Sequence, residues 1–491
     1  MAAPHQPAAG FIGKFTVLRG AARELWIALF MKLLNFAAYA VTNFTLKLWL
    51  SKEFGYSDRQ ALGIVAGWSL TMTIVTLLVG ALTDAIGLRK AFYLGVWVCL
   101  VARAVMVFAT VPWFALAFGL FPLAIGEALG TPVLVAAVRK YSTTKQRSIS
   151  FSASYVMMNV GSYAALRLFD WVRVAMGEHG HLALPWLETS ITTYRALFLV
   201  SWGIQLLMLP ILWFVRPGAE VTDDGMIFNP VPARIPGANF LTSCVRTIRD
   251  SAQNTVRLFG ELFKQTGFYR LLVFLMLIAF LKLIFMQMYY VFPEFGIRVL
   301  GEGAPVGRLW GINSLIVIFL VPLIGALTQR FPAYGMVTLG GIISAASVFI
   351  MALPPAWFQP LADGFFGQWV GHSYLGLTGA VHPYYVMITL YVIVLSFGEA
   401  FYSPRVYEYA SAIAPKGQEA SYGALSYIPF LLAKLLIGTF SGTLLATYCP
   451  AVGERHSETM WLFVALTASV APIGLITLRN LIRVREAGRE N

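Results

Sequence analysis

Charge is scarce in this sequence. Only 12% of its 491 residues are Asp, Glu, Lys or Arg and 58% are apolar, against about 25% and 45–50% in soluble domains. That excludes a chain whose whole folded surface meets water. Cysteine is scarcer still: Cys99, Cys244 and Cys449 offer neither a disulfide framework nor metal-ligand spacing. No G-x-x-x-x-G-K-[ST] loop is present, which argues against direct ATP drive. The six histidines (His5, His179, His181, His372, His382, His456) fall in tails, outer loops or at a helix edge, none spaced to work with a buried Cys or carboxylate. An enzyme is therefore the weaker reading, and no cofactor or metal is expected. Residues 1–22 lack an apolar core ending in a small-residue cleavage site, so the first membrane helix is expected to direct insertion itself.

What the chain has instead is apolar sequence in long runs. A bilayer core of ~30 Å needs about 20 such residues per helix, and twelve stretches qualify: 25–50, 60–83, 91–110, 113–138, 149–172, 194–215, 268–292, 306–328, 333–351, 383–403, 421–446 and 459–478. The net charge of +13 would suit a nucleic-acid binder if it were gathered on one face. It is not; most Lys and Arg fall in the termini and the even-numbered loops, which predicts cytoplasmic termini, no nucleic-acid partner and a lipid bilayer as the surroundings. The long connection 216–267 begins rich in Pro and Gly. From Phe240 onward, Leu241, Val245, Ile248, Val256, Phe259 and Phe263 recur at helical spacing among Arg246, Arg249, Arg257 and Lys264, predicting a helix on the inner membrane surface.

Internal repeats settle the expected architecture. Phe30-Met31-Lys32-Leu33-Leu34 with Tyr39 and Val41 returns as Phe280-Leu281-Lys282-Leu283-Ile284 with Tyr289 and Val291, a shift of 250. Gly80-Ala81-Leu82-Thr83 returns as Gly325-Ala326-Leu327-Thr328, a shift of 245. Gly126-Glu127-Ala128 leading to Thr131-Pro132 returns as Gly398-Glu399-Ala400 leading to Ser403-Pro404, a shift of 272, which puts extra residues in the outer loop around Gly364–His382. The reading is an all-α membrane protein of twelve transmembrane helices in two six-helix pseudo-repeats: 1–215, a cytoplasmic linker 216–267, and 268–491.

This arrangement resembles the major facilitator superfamily over nearly the whole chain. The most specific stretch is Gly80-Ala81-Leu82-Thr83-Asp84-Ala85-Ile86-Gly87-Leu88-Arg89-Lys90, which fits the superfamily's G-x-L-x-D-x-x-G-x-[RK]-[RK] signature. The resemblance implies that Asp84 and Arg89 gate one conformation against the other half. A topogenic turn with its basic residues inside is the plainer alternative.

Ionisable groups within the runs are few, and each costs at least ~2.5–3.5 kcal/mol to place at mid-bilayer. They are Lys32, Arg103, Glu127, Lys282, Glu399 and Lys434. Helices one, four, seven and ten line the superfamily's central cavity, so Lys32, Glu127, Lys282 and Glu399 are expected to face one another there. Lys32, Asn35 and Tyr39 share one helix face, as do Lys282, Phe285 and Tyr289. Glu127 and Glu399 are the proton-coupling candidates, and the lysines suit a substrate carboxylate. The competing reading pairs Glu127 with Lys32 or Arg103, and Glu399 with Lys434, to allow burial alone. Pro132 and Pro404, five residues after each Glu, are candidate gating hinges or ordinary kinks. Lys47, Arg167 and Asp170, near helix ends, read as snorkelling groups.

Two stretches resemble the proton-dependent oligopeptide transporters. Phe151 and Tyr155 lead to Asn159-Val160-Gly161-Ser162, near that family's F-Y-x-x-I-N-x-G-S pattern, and Gly398-Glu399 leads through Ser403-Pro404 to Glu408 and Ala414-Pro415-Lys416. The match implies substrate contacts for Tyr155 and Asn159, and a substrate-amine or coupling role for Glu399. The family's E-x-x-E-R-F-x-Y-Y motif and fourth-helix lysine are absent, with Thr131 near the lysine's place. The expected function is a secondary carrier of a small organic solute, peptide-like, anionic or zwitterionic, working by alternating access with proton symport. It is expected to act as a monomer in the cell membrane. An uncoupled facilitator or a proton-coupled efflux carrier is the alternative, and a channel or sensor on the same fold is the further one.

Overall fold

The computed structural model describes residues 16–143, 145–185, 188–228, 264–328, 331–413, 433–434 and 436–483, with residues 246, 249, 253 and 260. The surface helix read from Phe240 onward and the first half of the eleventh apolar run lie outside them.

Helix α1 (Arg23–Phe54) closes on Gly55, whose φ of 70° is a conformation glycine tolerates and whose N–H bonds the Leu50 carbonyl. Two residues later Ser57 and Gln60 cap α2 (Asp58–Ile86) reciprocally, so the chain reverses in one short turn. Helix α3 (Leu88–Phe108) follows Gly87 directly. A π-helical turn, Ala115–Leu120, leads into α4 (Phe121–Lys140), and α5 spans Arg147–Met176. A hairpin of β1 (His181–Leu184) and β2 (Thr189–Thr192), with His181 opposite Thr192, joins α5 to α6 (Thr193–Leu206), which Met208–Trp213 extends. The Pro- and Gly-rich connection then opens with a second hairpin, β3 (Ala219–Thr222) and β4 (Gly225–Phe228), at whose entrance Arg216 pairs with Glu24 of α1.

The second half starts with α7 (Thr266–Tyr290), continued by Phe292–Leu300, and proceeds through α8 (Val306–Leu327) and α9 (Ala333–Ile350). Short helical turns from Pro355 to Leu375 fill the outer connection in which extra residues were expected. Helix α10 (Pro383–Ile413) comes next, then a π-helical turn Ile437–Ser441 into α11 (Gly442–Tyr448), and α12 (Ser457–Thr477).

Among the described residues, nine helices are long and apolar enough to cross a membrane, and α2 and α5, 29 and 30 residues long, are two further long helices. Trp97, Val101, Phe118, Trp171, Phe319 and Ile473 are all more than half exposed. So much uncovered apolar surface calls for lipid.

Glycines set how closely helices cross. A Cβ on Gly126 would strike Cys99 and the Gly95 carbonyl of α3; one on Gly398 would strike Ser344 and the Gly340 carbonyl of α9. These crossings correspond under the sequence repeat. Between the halves, Gly307 and Gly311 of α8 lie against Leu166 and Tyr163 of α5, and Gly438 and Gly442 lie against Ala66 and Arg59 of α2. Both inter-half contacts thus use glycines four apart, the spacing that lets membrane helices approach backbone to backbone.

Candidate functional site

The two repeat-related carboxylates have different surroundings. Glu127 on α4 is 4% exposed and ion-paired with Arg103 of α3. The same guanidinium donates to Thr42 Oγ1 of α1 at 3.3 Å and to Gln205 Oε1 of α6 at 3.4 Å. All four helices belong to the N-terminal half, so Glu127 and Arg103 compensate each other inside one bundle. The expected cleft of four mutually facing charges therefore lacks one member. The cause is Arg103, the partner the competing reading had named.

Glu399 on α10 lies between the halves. Tyr155 of α5 donates its hydroxyl to Oε1 at 3.2 Å, and Asn313 of α8 donates to Oε2 at 2.9 Å while also reaching Ser396 Oγ at 3.1 Å. Lys282 of α7 is close enough to act on the carboxylate electrostatically, and its ammonium stands 5.0 Å from the Tyr402 ring centroid and 5.6 Å from that of Phe285. Asn159, one turn beyond Tyr155, is buried and donates to the Tyr155 carbonyl at 3.0 Å. Glu399 keeps partial exposure, as do Tyr39, Tyr155 and Tyr289. The junction holding them thus retains space that water reaches.

A second string of polar groups crosses the junction beside it. Tyr289 lies close to Ser162 of α5 and meets the Trp310 ring edge-on at 6.0 Å. Its neighbour Tyr290 donates to Asn43 Oδ1 at 2.5 Å, lies close to Tyr39, and stands 3.5 Å from the Ser69 hydroxyl of α2. Lys434 Nζ donates to the Ser69 carbonyl at 3.4 Å and to Thr73 Oγ1 at 3.1 Å. Lys434 therefore reaches across to α2 rather than to Glu399. Lys32 is 5% exposed, with its ammonium 4.5 Å from the Phe36 ring centroid, and the Asn35 amide lies against Gly130 of α4.

At the end away from the termini the halves are latched by charge. Asp58 takes two bonds from Arg298, at 2.8 and 2.9 Å, and pairs with Lys47 at 2.7 Å; Lys47 also pairs with Glu294 at 2.9 Å. Asp170 accepts the backbone N–H groups of Gly307 and Arg308 at 2.9 and 2.6 Å, capping α8 from the other half. Arg173 donates to the Ala304 carbonyl at 3.0 Å and pairs with Glu178. Burial pushes the Glu178 carboxyl up, but Arg173, Tyr194 and the Gly303 N–H outweigh it and hold it below the usual carboxylate range.

Snorkelling is thus corrected for Lys47 and Asp170, which are 2% and 1% exposed and bridge the halves. Arg167 stacks between Tyr163 and Tyr374, at 5.3 and 5.2 Å from their ring centroids. Arg89 donates to the Trp213 carbonyl at 3.3 Å and stacks on Tyr93 and Trp213, all within its own half. Its expected partner Asp84 has a side chain outside the described residues. Pro132 and Pro404 both sit inside continuous helices.

The pattern of the Major Facilitator Superfamily matches residues 28–372, more than two thirds of the chain. This chain belongs to the major facilitator superfamily. It is a multi-pass membrane transporter whose fold is distantly similar to that of the proton-dependent oligopeptide transporters. A structure from work on substrate recognition in those transporters superposes with a TM-score of 0.66 at 16% identity, covering 94% of this chain and 98% of its own. A mutant peptide transporter superposes at 0.68 and 14% identity, covering 96% and 98%. A related transporter in complex with 5-aminolevulinic acid superposes at 0.64 and 14%, covering 97% and 99%. At these identities the likeness is one of fold. A search of curated proteins by sequence found no match.

Sequence reasoning missed Asn313, Ser69, Thr73, Tyr290 and Asn43. Asn43 was within reach, because it continues the α1 face of Lys32, Asn35 and Tyr39 by one more turn. Asn313 is a lone amide in an apolar helix, and only the fold says which carboxylate it meets.

Proposed function

We propose that this transporter is a proton-coupled secondary carrier of a small organic solute, working by alternating access between two six-helix halves, with Glu399 as its coupling carboxylate. The observation that carries the reading is the Tyr155–Glu399–Asn313 bridge. One carboxylate accepts from both halves, and both donors are neutral. Protonation removes the charge that strengthens those bonds, so taking up a proton weakens the tie between α5 and α10. Lys282 then loses its nearby anion and becomes available to a solute. Tyr39, Asn35, Asn159 and Tyr289 supply further contacts to the solute, Asp84 and Arg89 the gate near the termini, and Pro132 and Pro404 the bending points.

Glu127 has a different role in this reading. Its charge is offset by Arg103, so it pins α3 to α4 within one bundle. The inter-half polar links named above lie at the Glu399 level or beyond it, away from the termini. The carrier acts as a monomer in the cell membrane, although one solved neighbour is described as tetrameric.

The test is uptake into proteoliposomes. Glu399→Gln is expected to abolish accumulation driven by a pH gradient while sparing exchange of solute at equal pH. Undiminished accumulation by that variant would sink the reading, and accumulation indifferent to pH in the wild type would favour the uncoupled facilitator.

A further inference from the structure

We propose that the solute is an anion, and that Lys434 shares with Lys32 the task of meeting its negative charge. This deepens the carrier reading and rests on it.

Charge does not balance at mid-membrane among the described residues. Four cations stand there among the described residues, Lys32, Arg103, Lys282 and Lys434, against two carboxylates, Glu127 and Glu399. Arg103 and Glu127 cancel, and Lys282 lies beside Glu399. The two ammoniums left over, both 5% exposed, have no carboxylate within ion-pair distance among the described residues. Lys32 rests on the face of Phe36, and among the described residues Lys434 is held by the Ser69 carbonyl and the Thr73 hydroxyl. Burying an ammonium on such partners is costly. A carrier that binds an anion recovers that cost in the loaded state, since the passenger brings the missing counter-charge.

The placement fits one passenger meeting both. Lys32 and Tyr39 share a face of α1 about 10 Å apart along the helix. Tyr39 lies close to Tyr290, whose hydroxyl lies beside that of Ser69; Lys434 is bonded to the carbonyl of that same serine. The two lysines thus flank the tyrosine pair, one from each half. Their ligands are weak and uncharged, so a carboxylate, phosphate or sulfonate group displaces them readily, whereas Arg103 is already saturated. A cationic solute would add a third uncompensated positive charge.

The test uses purified full-length protein and thermal shift with small mono- and dicarboxylates, each paired with its own primary amide and the corresponding amine. Carboxylates are expected to raise the unfolding temperature and their amides and amines not to. Lys32→Gln and Lys434→Gln are each expected to weaken carboxylate binding about tenfold or more, with little change in the unliganded unfolding temperature. Amides or amines that stabilise as well as the acids overturn the proposal, as do both variants binding at wild-type affinity. Should Lys434→Gln fail to fold, Lys434→Arg keeps the charge and changes its reach, and is expected to shift preference among dicarboxylates of different length; identical affinities would overturn the assignment. Flux separates this from the underlying reading: accumulation of a neutral solute on a pH gradient keeps the coupled carrier and discards the anion, and carboxylate binding without pH-driven accumulation does the reverse.

Discussion

Glu127 and Glu399 each follow a glycine that packs one helix against another, and the two crossings correspond, Gly126 on Cys99 and Gly398 on Ser344. One position decides that their surroundings differ. Four residues beyond Cys99 on α3 stands Arg103, and four residues beyond Ser344 on α9 stands Val348, fully buried. In the first half the carboxylate meets a guanidinium inside its own bundle; in the second it meets apolar packing there and turns to Asn313 and, across the junction, Tyr155. A single difference between matching positions thus separates an ion pair inside one bundle from a carboxylate whose bonds reach across the junction.

The largest effect should come from breaking the first half's pair. Glu127→Ala leaves Arg103 buried without its charge partner and should cost about 3–5 kcal/mol, seen as a large drop in the unfolding temperature in detergent. Arg103→Met with Glu127→Leu should recover most of it. By contrast, Glu399→Gln keeps neutral partners for its donors and should leave the unfolding temperature nearly unchanged while pH-driven accumulation is lost.

The comparison can also be erased. Val348→Arg puts a guanidinium where the first half has one, and should fix Glu399 in its own bundle, release Tyr155 and remove the pH dependence of uptake. Uptake that keeps its pH profile would show that the Arg103 position is not what separates the halves. A smaller effect is expected at the inter-half contact. Gly307→Ala pushes a methyl into the Leu166 carbonyl and Asp170, costs about 1–3 kcal/mol, and should lengthen the distance between spin labels at His179 and Glu302, which stand 3.5 Å apart across the latch.

The smallest effect belongs to Glu178. Its carboxyl is held below the usual range in the folded protein, so its contribution is complete above the ordinary Glu value of about 4.3 and is lost as the pH falls through the depressed one. Glu178→Gln should therefore lower the unfolding temperature at pH 7, with the gap to wild type closing in acid.

Much of this architecture was legible in the residues. Apolar runs of about 20 and the signature after the second run point to a multi-pass membrane transporter of the major facilitator kind without any coordinates, because a bilayer imposes length. Site geometry was legible only in part. Glu399, Tyr155 and Lys282 were named from sequence and come together. Glu127 was named equally, since a repeat gives two positions the same prominence and is silent on which neighbour has diverged. Lys47 and Asp170 were misread because nearness to a helix end looks the same whether the side chain points to lipid headgroups or to the other half. The glycines four apart in α8 and before α11 were present in the sequence, but their role follows only from knowing which helices cross.

The account stands or falls on which carboxylate exchanges a proton. Infrared difference spectra of the reconstituted protein, recorded across the working pH range, report carboxyl protonation directly. The account predicts a pH-dependent protonated-carboxyl band that vanishes in Glu399→Gln and persists in the more conservative Glu127→Asp. A band that survives Glu399→Gln, or that moves with Glu127→Asp, contradicts it.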